Sequence, residues 1–321
     1  MLRPVLCAYK EMTHGGTNIG SRASAKIASM GDLCIEFQWG FRALNGYLHE
    51  LDAVASGVPY ASLGISDRRH ARMAVAVISP TGQTISDPYI LRNERLTPPG
   101  SVAVLQLSGV MTADGDASTP GAQGLAASLR QAYANANVDA VVIETNSGGG
   151  EVTAMQILVG AVNERNKPVI GFGHMAASAA YGTLAATDEI IGSSQMAQFG
   201  SIGAVLTLDK EFLQYFNESY LQIYGDNAPN KNEEFRAALA GDFEPFKALA
   251  NKATDQFQSQ VAAQRNLTGA DAYRKVTLSG RMFDANEAKR RGLIDGVGTL
   301  AYAVKRAEAW AGMYKSKKKR A

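Results

Sequence analysis

Histidine is scarce in this chain of 321 residues: there are four, and none follows His174. That excludes a Ser-His-Asp arrangement built on a serine near position 178 with its histidine further along. Cysteine is scarcer still. Cys7 and Cys34 are both near the N-terminus, too few for a disulfide framework and compatible with reducing surroundings or with a single Cys7–Cys34 bridge. No H-E-x-x-H, C-x-x-C, G-x-x-x-x-G-K-[ST] or G-x-S-x-G pattern occurs, which removes support for zinc, P-loop and nucleophile-elbow chemistry. No apolar run reaches the roughly 18 residues that a membrane span needs. The opening stretch MLRPVLCAYKEMTHGG is broken by Pro4 and too short for a signal-peptide core. The expectation is a soluble, cytoplasmic protein. A formal net charge of +2 gives no reason to expect a nucleic-acid coat.

What is present is ordinary globular composition, 46% hydrophobic and 19% charged. Residues 1–97 carry no motif and read as an N-terminal extension. They hold His14, His49 and His70 without metal-ligand spacing, a loosely helical stretch from Phe37 to Leu51, and a hairpin pattern from Met73–Ser79 through Pro80-Thr81-Gly82 to Gln83–Leu91. Thr97-Pro98-Pro99-Gly100 is a strong break, and a main domain is expected over 98–312. There the chain alternates. Strands are expected at Val102–Leu107, Val138–Thr145, Pro168–Gly173, Ile190–Ile191, Ile202–Leu206 and Tyr220–Tyr224. Helices are expected at Ala122–Asn135, Val152–Arg165, Ser178–Thr187, Glu211–Glu218, Glu233–Arg265 with breaks near Gly241 and Pro245, and Leu300–Trp310. Continuous apolar strands between helices imply an α/β fold with a mainly parallel, helix-covered sheet. Residues 313–321 read as a basic, disordered tail, of which the stretch Lys315–Arg320 is charged at five of six positions; such short runs are commonly just solvated, though an acidic partner or DNA is an alternative.

Two small-residue loops each follow an apolar strand: Asn146-Ser147-Gly148-Gly149-Gly150 and Gly173-His174-Met175-Ala176-Ala177-Ser178. In a parallel sheet both fall at the carboxyl edge, where sites form. Glycine lets a backbone N–H approach a ligand without a Cβ in the way, and a helix start adds free N–H groups. Together they can hold a developing oxyanion, worth about 3–4 kcal/mol per donor in acyl transfer. The plain alternatives stay open: Gly148–Gly150 as a tight turn, and Ser178 as a helix N-cap.

Six motifs in order resemble the family that contains signal peptide peptidase A (SppA) and phage prohead protease C. They are VAVLQLSG at Val102–Gly109, NSGGGEV at Asn146–Val152, AASAAY at Ala176–Tyr181, Gly200-Ser201-Ile202-Gly203, YGDNAPNK at Tyr224–Lys231, and Ser279-Gly280-Arg281-Met282-Phe283 with Glu287-Ala288 and Gly292-Leu293-Ile294-Asp295. The resemblance covers Val102 to about Val304. It implies a ClpP/crotonase-like fold and a serine–lysine dyad: Ser178 as nucleophile, Lys231 as general base, Ser201 orienting the lysine, and the N–H groups of Gly150 and Ala179 as oxyanion hole. Gly148 and Gly149 would support that loop, with Gly148 standing where the family usually has proline. The acids and amides before Lys231 also depart from the family pattern, which leaves Lys210 as a fallback base. No metal or organic cofactor is implied.

A free lysine titrates near 10.4, and a base working at neutral pH must titrate near roughly 7–8, a difference of about 3.4 kcal/mol. Burial supplies this and nearby carboxylates oppose it, so Asp226, Glu233 and Glu234 are expected to point to solvent or to another subunit. The resemblance further implies a homo-oligomer and protein or peptide substrates. The expected role is phage or prophage head maturation, cleaving scaffold and capsid proteins in the host cytoplasm or prohead interior. A soluble bacterial peptidase of the same family is the alternative. Two rivals from other classes are a crotonase-like acyl-CoA enzyme and a non-catalytic assembly subunit.

Overall fold

A computed structural model of the chain describes residues 33–35, 75–114, 121–268 and 271–318. Cys7, the Phe37–Leu51 segment and His14, His49 and His70 lie outside the described residues. Backbone contacts divide the chain into two units, one holding Gly203–Phe257 and the other holding Ile35–Ile202 with Gln258–Ala321. Each is described separately.

The second unit is built on a sheet. Its long strands are β4 (Ser101–Met111), β5 (Val138–Glu151) and β6 (Val169–Ala177), joined by α1 (Ala122–Ala134) and α2 (Val152–Asn163). Helix α3 (Ala179–Ala185) follows β6 directly and leads to β7 (Glu189–Gly192). With β2 (Val75–Ile78), β3 (Thr84–Ser86) and β10 (Gly296–Val297), the strand order is β10-β7-β6-β5-β4-β2-β3. Strands β10, β7, β6, β5 and β4 run parallel, and β2 and β3 add an antiparallel hairpin at the β4 edge. Strand β5 is central and reads V-D-A-V-V-I because both its faces are covered. On one face Val102, Val104, Ala140, Val142, Ile170, Phe172 and Ile191 pack against Ala303, Val304, Ala307 and Ala311 of the last helix, α9 (Leu300–Lys318). Residues one step out of phase, Ala103, Leu105, Val141 and Ile143, are equally buried; alternation points them to the opposite face, where α1 and α2 present Leu125, Leu129, Leu158 and Val162 at helical spacing.

The expected hairpin is present, and β2 pairs with β4 from Val75↔Leu105 to Ile78↔Val102. Residues 75–97 are therefore built onto the same sheet. The break at Thr97–Gly100 is a turn within that sheet, braced by Asn135 Nδ2, which donates to Leu91 O at 3.1 Å and Thr97 Oγ1 at 3.1 Å.

The basic tail is a second correction. Helix α9 continues through Lys318. Tyr314 donates to Asp188 Oδ1 at 2.9 Å and Lys315 Nζ reaches Asp139 Oδ2 at 2.6 Å, so its last turns are pinned to the sheet.

The unit holding Gly203–Phe257 contains α4 (Lys210–Ser219), α5 (Glu233–Leu239) and the start of α6 (Glu244–Gln264). Two strands expected here, Ile202–Leu206 and Tyr220–Tyr224, do not form ladders. Their apolar residues have strand propensity but no partner strand among the described residues. Ala204 N instead donates to Thr254 Oγ1 at 3.0 Å, and Leu221 and Ile223 remain 87% and 88% exposed. Aromatic contacts Phe216–Tyr220 and Phe216–Phe235, with centroids 4.9 and 5.0 Å apart, hold the unit together. Among the described residues no helix is long and apolar enough to cross a membrane.

Candidate active site

Strand β6 ends in Ala176-Ala177 and turns into α3 at Ser178, whose backbone is at φ 53, ψ −124. A positive φ at a residue with a Cβ is uncommon and costs about 1–3 kcal/mol unless the surroundings hold it. Two hydrogen bonds do so: Ser178 N donates to Gly200 O at 2.8 Å, and Gly182 N donates to Ser178 O at 2.9 Å. The residue is 2% exposed. Ser178 does occupy the N-cap position of α3, but its hydroxyl makes no cap hydrogen bond. Ala179 is the first helical residue, so its N–H has no intrahelical acceptor. Every residue of α3 is buried, and its small side chains let the helix sit close on the sheet. Tyr181 anchors it by donating to Leu293 O at 2.8 Å; burial pushes that phenol's pKa above the usual tyrosine range.

The glycine run, expected as a loop after the strand, is instead the end of β5, which continues to Glu151 with Gly149 and Gly150 paired to Val110 and Met111 of β4. Asn146 pairs with Met175 and Ser147 with Ala176, so Gly148, Gly149 and Gly150 start alongside the residues just before Ser178. The loop is stiffened by a side chain that the sequence reading passed over. Ser147 Oγ donates to Gly109 O at 2.6 Å and accepts from Gly149 N at 3.1 Å. Its signal was its place directly before the glycines. Gly149 sits at φ +100. At Gly150 a Cβ would lie 2.0 Å from Met111 O, so only glycine lets β4 and β5 stay paired there. Glu151 closes the arrangement by accepting from Ala113 N at 2.7 Å.

On the other side of β6 lies β8 (Gln198–Gly200), parallel to it, with Ala177 opposite Gly200. Next to β8 is β9 (Met282–Asp284). Gly200 is at φ +133, and a Cβ there would lie 2.2 Å from Arg281 O. Ser201 follows at φ 54 with its N–H donated to Arg281 O at 2.9 Å. The Gly-Ser-Ile-Gly segment thus braces the Ser178 turn through the backbone. The hydroxyls of Ser178 and Ser201 make no hydrogen bond among the described residues. Below them Phe199, fully buried, fills the space left by Gly173 and Gly192, where added Cβ atoms would be 2.6 and 3.2 Å from its ring.

Ser178, Ala179, Gly148, Gly149, Gly150 and Ser201 therefore belong to one unit, and Lys231 belongs to the other. Lys231 is exposed, on a turn where its N–H donates to Ala228 O at 3.2 Å. The burial asked of a catalytic lysine is absent from the single chain. Asp226 and Glu233 are exposed and Glu234 half-buried, and among the described residues none forms an ion pair with Lys231. Lys210 opens α4 and is exposed as well. Among the described residues no group of three or more His, Cys, Asp or Glu is placed to hold a metal.

A mainly parallel sheet, with a run of glycines at the end of β5 and a strained buried serine just after β6, makes this an α/β protein. Residues 235–313 match Peptidase family S49, a stretch that follows both Ser178 and Lys231. Protease 4 of Haemophilus influenzae is 27% identical over 236 residues, covering 68% of this chain and 36% of the relative. The chloroplastic serine protease SPPA of Arabidopsis thaliana is 28% identical over 229 residues, covering 68% and 33%. The chain thus spans about a third of the length of these relatives. Among solved structures, a membrane-bound stomatin-specific protease aligns at TM-score 0.41 and 15% identity over 66% of this chain and 84% of that one. An enoyl-CoA hydratase/isomerase family member aligns at 0.39 and 16% over 65% and 70%. Over about two thirds of its length the chain is thus similar to SppA-type serine proteases, and over residues 235–313 to Peptidase family S49.

Proposed function

We propose that this protein is a serine endopeptidase with Ser178 as nucleophile and Lys231 as general base. The observation that carries the proposal is the Ser178 turn: a buried serine held at positive φ, next to a helix-start N–H with no intrahelical acceptor and alongside a glycine loop. In this scheme neutral Lys231 takes the Ser178 proton as Oγ bonds to the peptide carbonyl carbon. The N–H groups of Ala179 and Gly150 receive the oxyanion. The lysinium then protonates the leaving amine, the C–N bond breaks, and an acyl ester remains on Ser178. Water gives a proton to Lys231 and attacks the ester, releasing the acid and restoring the hydroxyl. Ser201 orients the lysine amine. The scheme uses no cofactor.

Because Lys231 is exposed in the single chain, the scheme places its loss of water in a homo-oligomer or at substrate binding. Cleavage of an unfolded protein substrate tests the assignment. Ser178→Ala and Lys231→Ala should each abolish it, and Lys210→Ala should leave it within about twofold. Full cleavage by Ser178→Ala contradicts the proposal. An acyl-CoA enzyme of the same fold needs neither Ser178 nor Lys231.

For the biological role we favour head maturation in a phage or prophage, with scaffold and capsid proteins as substrates, on the ordered motifs shared with prohead protease C. The similarity to Protease 4 and to chloroplastic SPPA supports a second reading, a signal-peptide-peptidase-like protease. Portal and major capsid genes beside this one favour the first, and their absence the second.

A further inference from the structure

Along β6 the ladders change at one residue. On the β5 side Thr145 pairs with Gly173 and Asn146 with Met175, a slip of one position. On the other side β6 pairs with β7 as far as Gly173↔Gly192, and with β8 from Met175↔Gln198 onward. His174 is the residue that falls in both gaps, without a ladder partner on either flank. Bulges of this kind re-aim the strand beyond them and are common beside active sites.

The side chain supplies the tie that the backbone lacks. His174 Nε2 is 3.0 Å from Glu144 Oε1 on β5, and the other carboxylate oxygen, Oε2, accepts from Gln106 Nε2 on β4 at 3.2 Å. The imidazole also stands edge-on to buried Phe172, with centroids 5.2 Å apart. The Gln106–Glu144–His174 chain thus links β4, β5 and β6 at the point where β6 switches neighbours, four residues before Ser178 and four before Gly148. The imidazole is 46% exposed, so filling the core does not account for it.

We infer that His174 and Glu144 form a positioning pair that fixes the aim of the Met175–Ser178 segment against the glycine loop. The inference rests on the peptidase reading above. It adds two residues that need not touch substrate, and it explains a histidine that the serine–lysine scheme leaves unused. A misplacement of about 1 Å at reacting atoms can cost on the order of a hundredfold in rate.

The test is steady-state cleavage of a peptide substrate by the full chain. His174→Ala and Glu144→Ala should each lower kcat about tenfold or more with KM within about twofold, and the double variant should be no slower than the slower single one. His174→Gln and Glu144→Gln, which keep a donor and an acceptor, should recover most of the rate. If His174→Ala does not fold, His174→Gln with Glu144→Ala carries the same comparison. A His174→Ala enzyme within twofold of wild type, additive losses in the double variant, or no recovery with glutamine overturns the inference. Ser178→Ala in parallel separates the two claims. Cleavage surviving there removes the peptidase reading, whereas an inert Ser178→Ala beside a fully active His174→Ala removes the positioning pair alone.

Discussion

At the scale of single residues, the site depends on positions where a Cβ or a hydroxyl decides the backbone path. Gly200 lies at φ +133 with Arg281 O where its Cβ would be. Gly200→Ala should destabilise the fold by about 1–3 kcal/mol, read as a lower urea midpoint, and should slow cleavage because Ser178 N hangs on Gly200 O. Ser147→Ala removes both bonds that brace the glycine loop. Leaving Gly109 O and Gly149 N without that partner should cost about 1–3 kcal/mol, with kcat falling more than KM changes. A Ser147→Ala enzyme of unchanged stability and kcat would mean that the loop holds itself.

At the scale of elements, two contacts dominate. Phe199 occupies the hollow between Gly173 and Gly192, and Phe199→Ala should cost about 3–5 kcal/mol on denaturant unfolding. The last helix is clamped by Glu189, which accepts from Arg306 Nε at 2.8 Å and from Trp310 Nε1 at 2.7 Å. Glu189→Ala removes the partner of Arg306 and Trp310, but Arg306 is 38% exposed and partly screened by water, so the cost should be about 1–3 kcal/mol, with faster amide hydrogen exchange in α9 as the local signature. Most of these elements were legible. The strands β4, β5 and β6 and helices α1 to α3 are continuous apolar runs or clean helical spacings, and all are present, but the three strands run about four to six residues past their expected ends because polar and glycine residues there still pair in the ladders. Ile202–Leu206 and Tyr220–Tyr224 failed because apolar runs report a wish for burial without naming the partner strand. The end of α9 failed because its lysines suggested solvent, while Asp139 and Asp188 hold that turn from far along the chain.

At the scale of the whole molecule, half of the candidate site was readable and half needed coordinates. Ser178 and the glycines announce themselves by following apolar strands. The brace from Gly200 onto Ser178, the tie of Ser201 to Arg281 and the break in the β6 ladders at His174 depend on pairings between distant segments that spacing does not encode. Lys231 is exposed and belongs to a different unit from Ser178, so under the proposed scheme a neutral amine would arise only on assembly or substrate binding. Specific activity should therefore rise with protein concentration over the range in which light scattering shows association. Activity independent of concentration and of oligomeric state would place the base elsewhere.

The most direct test of the central claim is covalent capture of the nucleophile. The intact protein, treated with a serine-reactive fluorophosphonate and digested, should carry one adduct on the peptide containing Ser178, and heat-unfolded protein or Ser178→Ala should carry none. An adduct on another serine, or undiminished peptide cleavage after complete labelling at Ser178, would contradict the account.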